Sequence, residues 1–311
     1  MSLSEILSVL KSSTEEQLLQ FSEALNLQSH ANLRNKANAG KNDDIDISFI
    51  TNAINYKSAA GINIISSFKK RFGEDLTRAR ARKGGNRNTH YDFEIEVNEE
   101  WKKVEHKGGQ KFMIPSLDDK PWLVAVQFYN GGAEKFAIAK KYAKEWYDIH
   151  IISGLLKKHW KISAETPSFE EWWKKDCIKQ GSPGTSFGKE LKEAVRKERG
   201  PKSSLLEERI VVLSALEFTD EDKKQLIDEV FPIVKEVLND KEYWLSIHGN
   251  LNGEFHSTWY PQFTVSSILD VTFNKKKDLE MIFKCANGFT FNGILRWGSG
   301  AGFSNLRMDL K

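Results

Sequence analysis

Cysteine is nearly absent: Cys177 and Cys285 are the only two in 311 residues. Two cysteines build neither a disulfide framework nor a cysteine-based zinc site, and they suit a reducing compartment. No run of about 18 apolar residues occurs, which argues against a transmembrane helix and a membrane partner. Ser2 to Lys11 lacks the basic start and long apolar run of a secretory signal. An excess of one charge is lacking too. Lys and Arg number 46 against 43 Asp and Glu, a net charge of +3. The chain is therefore no polycation, and a nucleic-acid interaction has to come from local clustering. No internal repeat is visible. These absences point to a soluble cytoplasmic protein, long enough for one large or two small cores.

What is present centres on Tyr91 to Gln110, YDFEIEVNEEWKKVEHKGGQ. Tyr91, Phe93, Ile95 and Val97 alternate with Asp92, Glu94 and Glu96, a period of two with one apolar and one acidic face. Asn98, Glu99 and Glu100 form a turn. The second strand puts Val104 and His106 on one face and Lys103, Glu105 and Lys107 on the other. Two registers suit the hairpin, with Asp92 opposite Glu105 or opposite Lys107. Either leaves Asp92, Glu105 and Lys107 on one face. A one-residue slip would set apolar positions of one strand against charged positions of the other. The pattern also suits an exposed, mixed-charge hairpin face. The row Asp92, Glu94, Glu96 is crowded with like charge, however, and calls for a cation, either a metal or a lysine.

Asp92 followed by Glu105-His106-Lys107 resembles the PD-(D/E)XK nuclease superfamily, to which most type II restriction endonucleases belong. The resemblance covers roughly Ala59 to Asn130 and has Tyr91 where the family name has proline. It implies an α/β, restriction-endonuclease-like mixed sheet flanked by helices. It also implies Asp92, Glu105 and the His106 main-chain carbonyl as ligands of Mg²⁺, with Mn²⁺ as a substitute. Two carboxylates suit Mg²⁺, which keeps several waters. A bound metal neutralises phosphate charge and acidifies water. Lys107 would orient or deprotonate that water, or stabilise the charge of the transition state. Glu74, on the helix before the hairpin, is a further catalytic candidate, set against a plain solvated glutamate. Enzymes of this kind often act as homodimers on double-stranded DNA.

The densest basic run, Arg78, Arg80, Arg82, Lys83 and Arg87 with Asn86, lies directly before Asp92. It suits a phosphate backbone, although a charge run is also an ordinary solvated face. Gln110 closes the stretch as another DNA-contact candidate. Arg296, Asn305 and Arg307 surround the Gly-rich loop 298–302, and Arg and Asn are residues that read guanine and adenine edges.

Along the rest of the chain, Leu3 to Leu27 reads as two short helices and Asn32 to Asp46 as a loop. Ala59 to Arg82 reads as a helix burying Ile62, Ile64, Ile65 and Phe68, broken or kinked at Gly73. Trp122 to Tyr129 reads as a central buried strand in which Gln127 is a core amide or a site contact. Ala133 to Ile149, the capped segment at Ser168 and Glu171, Ser186 to Lys202 and Thr219 to Leu238 read as helical. From Tyr243 the pattern turns to antiparallel strands, with His248 and His256 in loops. The expected organisation is an N-terminal helical arm (1–45), a nuclease core (46–165) and a C-terminal helical and antiparallel-β region that aids recognition (166–311). The expected function is a Mg²⁺-dependent, sequence-specific DNA endonuclease. Three alternatives stay open: a repair or structure-specific nuclease of the same superfamily, a catalytically inactive DNA-binding protein, and a protein–protein module.

Overall fold

The structure, a computed structural model, describes residues 11–15, 18, 39–82, 90–108, 126–200, 205–250, 254–298 and 304–311, with the main chain alone at 39–43, 107–108, 248–250 and 254–255. The expected N-terminal helical pair lies almost wholly outside these residues. The chain is mixed α/β and forms two compact units. The first comprises Met1–Leu123 with Val237–Thr264, and the second Val124–Glu236 with Val265–Lys311. These divisions differ from the expected boundaries at 45/46 and 165/166, because the first unit is completed only when the chain returns at Val237.

The first unit begins with α1 (Ala39–Tyr56), where a loop was expected through Asp46. Asn, Gly and Asp are poor helix formers. Here Ile47, Ile50 and Ile54 lie on one face and are buried, and tertiary packing of such a stripe outweighs local propensity. A bend at Lys57 leads to α2 (Ala59–Phe72), which is capped by Ser58 Oγ accepting from the Gly61 N–H at 3.2 Å. Gly61 lies where α1 passes close by: a Cβ there would sit 1.8 Å from the Ala53 carbonyl oxygen. The buried face of α2 carries Ile64 and Phe68, whereas Ile62 is exposed, contrary to expectation.

Gly73, left-handed at φ 75°, ends α2 as its C-cap. The residues beyond it are not helix but β1 (Leu76–Ala81). A bulge between Leu76 and Arg78 turns both Leu76 and Ala79 inward. That three-residue spacing mimics a helical stripe and hides the strand. The Asn55 side chain bonds both the N–H and the C=O of Ala79, each at 2.8 Å, and so covers part of the main-chain edge of β1.

Strands β2 (Phe93–Val97) and β3 (Glu100–Gly108) form the expected hairpin. Asn98 and Glu99 both have positive φ, 51° and 66°, as a two-residue primed turn requires. The register ends on Phe93 opposite Val104. Beyond it the regular ladder stops, since the Asp92 N–H turns to the Val104 carbonyl; the ladder is in phase with the first of the two registers read from the sequence but does not itself pair Asp92 with Glu105.

Of the expected strand Trp122–Tyr129, residues 122–125 lie outside the described residues. Residues 126–128 have no regular structure, and Gln127 is exposed rather than a core amide. Tyr129–Gly132 forms β4 of the other sheet. The strand beside β3 is β5 (Tyr243–Asn250), which runs parallel to it, followed by antiparallel β6 (Glu254–Pro261). The first sheet is therefore ordered β1-β2-β3-β5-β6. His248 and His256 lie in strands, opposite each other in register, not in loops. Helices α1 and α2 cover one face, packing Ile50, Ile54, Ile64 and Phe68 on Phe93, Ile95, Val104, Leu245 and Trp259.

The second unit holds α3 (Ala137–Trp146), α4 (Leu155–His159), α5 (Phe169–Trp172), α6 (Ser186–Arg199), α7 (Leu206–Ala215) and most of α8 (Asp220–Asn239). Its sheet adds β7 (Ile268–Lys275), β8 (Leu279–Cys285), β9 (Thr290–Trp297) and β10 (Leu306–Leu310) in the antiparallel order β4-β10-β9-β8-β7. The Ser168 cap on Glu171 and the Thr219–Asp222 cap occur as expected. The strands after Tyr243 thus divide between the two sheets instead of forming one.

Candidate active site

The face of the first sheet opposite α1 and α2 carries the charged residues of the hairpin. Alternation puts Glu94, Glu96, Lys103 and Glu105 there, because their neighbours Phe93, Ile95 and Val104 point into the core. Asp92 stands at the open end of the hairpin. Its N–H donates to the Val104 carbonyl at 2.9 Å, and its Oδ2 accepts the His106 N–H at 2.8 Å. These two main-chain bonds fix the carboxylate against β3. Glu105 is buried, at 8% exposure. Asp92 and Glu105 thus both lie at the open end of the hairpin. Lys107 follows in β3 with its main chain opposite Ser246 of β5, and its side chain lies outside the described residues.

The crowded acidic row is relieved by arginine. Arg78 Nη2 is 2.5 Å from Glu96 Oε1, and Arg80 Nε is 2.5 Å from Glu94 Oε2. Both guanidinium groups lie over the Trp101 ring, at 5.8 and 3.9 Å from its centroid. The Arg78 side chain and the Thr77 hydroxyl hold the Glu96 carboxyl down at about 2. Arg82 donates from Nη1 to the Tyr91 carbonyl at 3.0 Å. These three arginines were expected to contact DNA, yet each has a partner within the protein. Lys83, Asn86, Arg87 and Gln110 lie outside the described residues.

The Glu96 environment has a testable consequence. A carboxyl depressed from 4.5 to about 2 contributes stability above pH 4.5 that is lost as pH falls through about 2. In Arg78→Ala, the Glu96 carboxyl titrates between these limits, above its wild-type midpoint, because Thr77 still donates to it. Carboxyl carbon chemical shifts followed against pH check this, and an unmoved midpoint would deny the pairing.

Glu74 does not join the site. Its Oε1 accepts from Asn98 Nδ2 at 3.2 Å and its Oε2 from the Tyr243 hydroxyl at 3.3 Å. Asn98 is the hairpin turn, some six residues from Asp92, or roughly 20 Å along a strand. Arg296, Asn305 and Arg307 belong to the second unit. Arg296 pairs with Asp309 at 2.6 Å, Arg307 bonds Asn130, and Asn305 accepts the Gly298 N–H at its carbonyl at 2.8 Å. Their loop joins antiparallel β9 and β10, as a hairpin loop should.

The sequence reading missed the three residues that enter β5. Asp240 Oδ1 pairs with Lys103 Nζ at 2.7 Å, and its Oδ2 accepts the His90 N–H at 2.6 Å. Burial works to raise the Asp240 carboxyl, but these partners outweigh it and hold it below its usual range. Lys241 Nζ lies 3.1 Å from Glu105 Oε2, and Glu242 Oε2 accepts the Lys103 N–H at 2.7 Å. Trp244 lies level with Glu105 in the parallel ladder, and its buried indole N–H has no partner among the described residues. Nothing local in Asp240-Lys241-Glu242 marks it, since three charges before a strand read as solvated.

Among the described residues, no group of three or more His, Cys, Asp or Glu side chains is placed to hold a metal. Mg²⁺ is commonly bound by one or two carboxylates, waters and substrate oxygens, and Asp92 and Glu105 offer donors of that chemistry. They do not furnish the four-ligand set of a structural zinc site. No helix among the described residues is long and apolar enough to cross a membrane. Searches against protein-family models, curated proteins and solved structures find no match to this chain.

Proposed function

We propose that the first unit is a PD-(D/E)XK-type nuclease core and that the protein is a Mg²⁺-dependent, sequence-specific endonuclease of double-stranded DNA, acting as a homodimer. The observation that supports this reading is that Asp92 and Glu105 both lie at the open end of a hairpin whose other face is covered by helices. Asp92, Glu105 and the His106 main-chain carbonyl would hold Mg²⁺, or Mn²⁺ in its place. When bound, such an ion neutralises phosphate charge and acidifies a water. The His106 N–H keeps the Asp92 carboxylate aimed, and Lys107, two positions beyond Glu105, would orient the attacking water or stabilise the phosphorane charge. The basic segment before Asp92, with Lys83, Asn86 and Arg87, is assigned to the phosphate backbone, and Arg296, Asn305 and Arg307 to base recognition.

One observation favours a second reading, a catalytically silent DNA-binding protein: Glu105 already has a cationic partner in Lys241. Supercoiled plasmid and a longer mixed-sequence DNA, incubated with Mg²⁺ and with EDTA, separate the two. Discrete metal-dependent fragments support the sequence-specific endonuclease. Nicking or a smear points to a repair-type enzyme. Binding without cleavage under any divalent metal supports the silent module. Binding in any of these cases falls steeply with salt, by about 10³-fold or more between 50 and 200 mM if six or more phosphates are engaged.

A further inference from the structure

Lys241 carries an ammonium group into the interior of the first unit. It is 1% exposed, its Nζ lies 3.1 Å from Glu105 Oε2, and it stands 4.8 Å from the centroid of the Trp244 ring. The residues on either side are tied to β3 as well, Asp240 through the Lys103 ammonium and Glu242 through the Lys103 N–H. Lys241 is therefore held in place by its own main chain. A buried ion pair of this kind is often no more stable than a well-packed apolar substitute, so stability alone does not account for it. Its burial also keeps it from touching a substrate phosphate. Its described ionic partner is Glu105.

We propose that Lys241 is a built-in counter-ion that competes with a divalent cation for the Glu105 carboxylate and thereby weakens metal binding in the absence of DNA. It is a positioning residue, and the proposal rests on Glu105 being a metal ligand. In the metal-free protein the ammonium neutralises Glu105. An arriving divalent ion has to share or take that carboxylate while facing the same ammonium, and like charges a few ångströms apart in a partly buried setting repel strongly. The negative charge of DNA phosphate offsets that repulsion, so metal and DNA load together.

The test is calorimetric titration of the metal-free, full-length protein with Mn²⁺, without DNA, alongside thermal unfolding with and without Mn²⁺. The variants are Lys241→Met, which keeps the length of the side chain, Glu105→Gln, and the two combined. We expect Lys241→Met to bind Mn²⁺ at least tenfold more tightly than wild type and to gain more thermal stability from it. Glu105→Gln should bind weakly in either background. If Lys241→Met is unfolded alone and folds when Mn²⁺ is added, the proposal is supported, since the metal then does the work of the ammonium. If it stays unfolded at high Mn²⁺, or folds and binds no more tightly than wild type, the proposal is overturned. Unchanged affinity in Glu105→Gln would remove Glu105 from the ligand set and take both readings with it. Lost affinity in Glu105→Gln with no gain in Lys241→Met would remove the present proposal alone.

Discussion

Asp92→Asn is expected to lose Mg²⁺-dependent DNA cleavage by about 100-fold or more while unfolding at the wild-type midpoint. The substitution keeps a side-chain carbonyl that can accept the His106 N–H, now made to Asp92 Oδ2 at 2.8 Å. It removes the negative charge. Outer partners of metal sites already cost about 10–100-fold when altered, so loss of a ligand's charge should exceed that. Cleavage of plasmid over a range of Mg²⁺ concentrations is the measurement, with duplex binding measured beside it. Binding should persist, because phosphate contacts are made by basic groups elsewhere. Cleavage at the wild-type rate would remove Asp92 from the site. Loss of both cleavage and folding would make the aspartate a strut of the hairpin rather than a ligand.

Phe68→Ala is expected to cost about 3–5 kcal/mol, the range for emptying an aromatic site in a core. Phe68 is 0% exposed. Its ring meets Phe72 at 4.9 Å, Tyr243 at 5.1 Å and Trp259 at 5.0 Å between centroids, the last two edge-on. These rings belong to α2, β5 and β6, so one side chain holds the helix layer to the strands beyond β3. With a urea dependence of about 1–3 kcal/mol per molar, the unfolding midpoint should fall by about 1 M or more. A loss below about 1 kcal/mol would mean that Phe72 and Tyr243 close over the gap.

The two predictions draw on different kinds of legibility. The Asp92 position was readable because the hairpin announces itself locally. Apolar alternation from Tyr91 to Val97 fixes the faces, and Asn98 with Glu99 makes the turn that sets the register. Caps were equally readable, since Ser168 and Thr219 each act within three residues. The Phe68 cluster was only half readable. Its helix stripe was visible, but Tyr243 and Trp259 could not be assigned to it from periodicity. The start of α1 and the strand β1 were misread for opposite reasons, the first through poor local propensity and the second through a bulge that imitates a helical spacing.

By itself, then, the sequence determined what acts over a few residues: the two-faced hairpin, its turn, the helix caps and the placing of Asp92 and Glu105 at the hairpin's open end. Only the tertiary structure decided the partners that lie far along the chain. It put β5 beside β3, tied Arg78 and Arg80 to the acidic row, held Glu74 at the wrong end of the hairpin, and brought Lys241 to Glu105. The physical reason is one of range. Side-chain alternation and capping bonds are dictated by neighbours in sequence. A strand edge or a buried carboxylate accepts any segment that satisfies its hydrogen bonds and charge, and which segment arrives depends on how the whole chain packs.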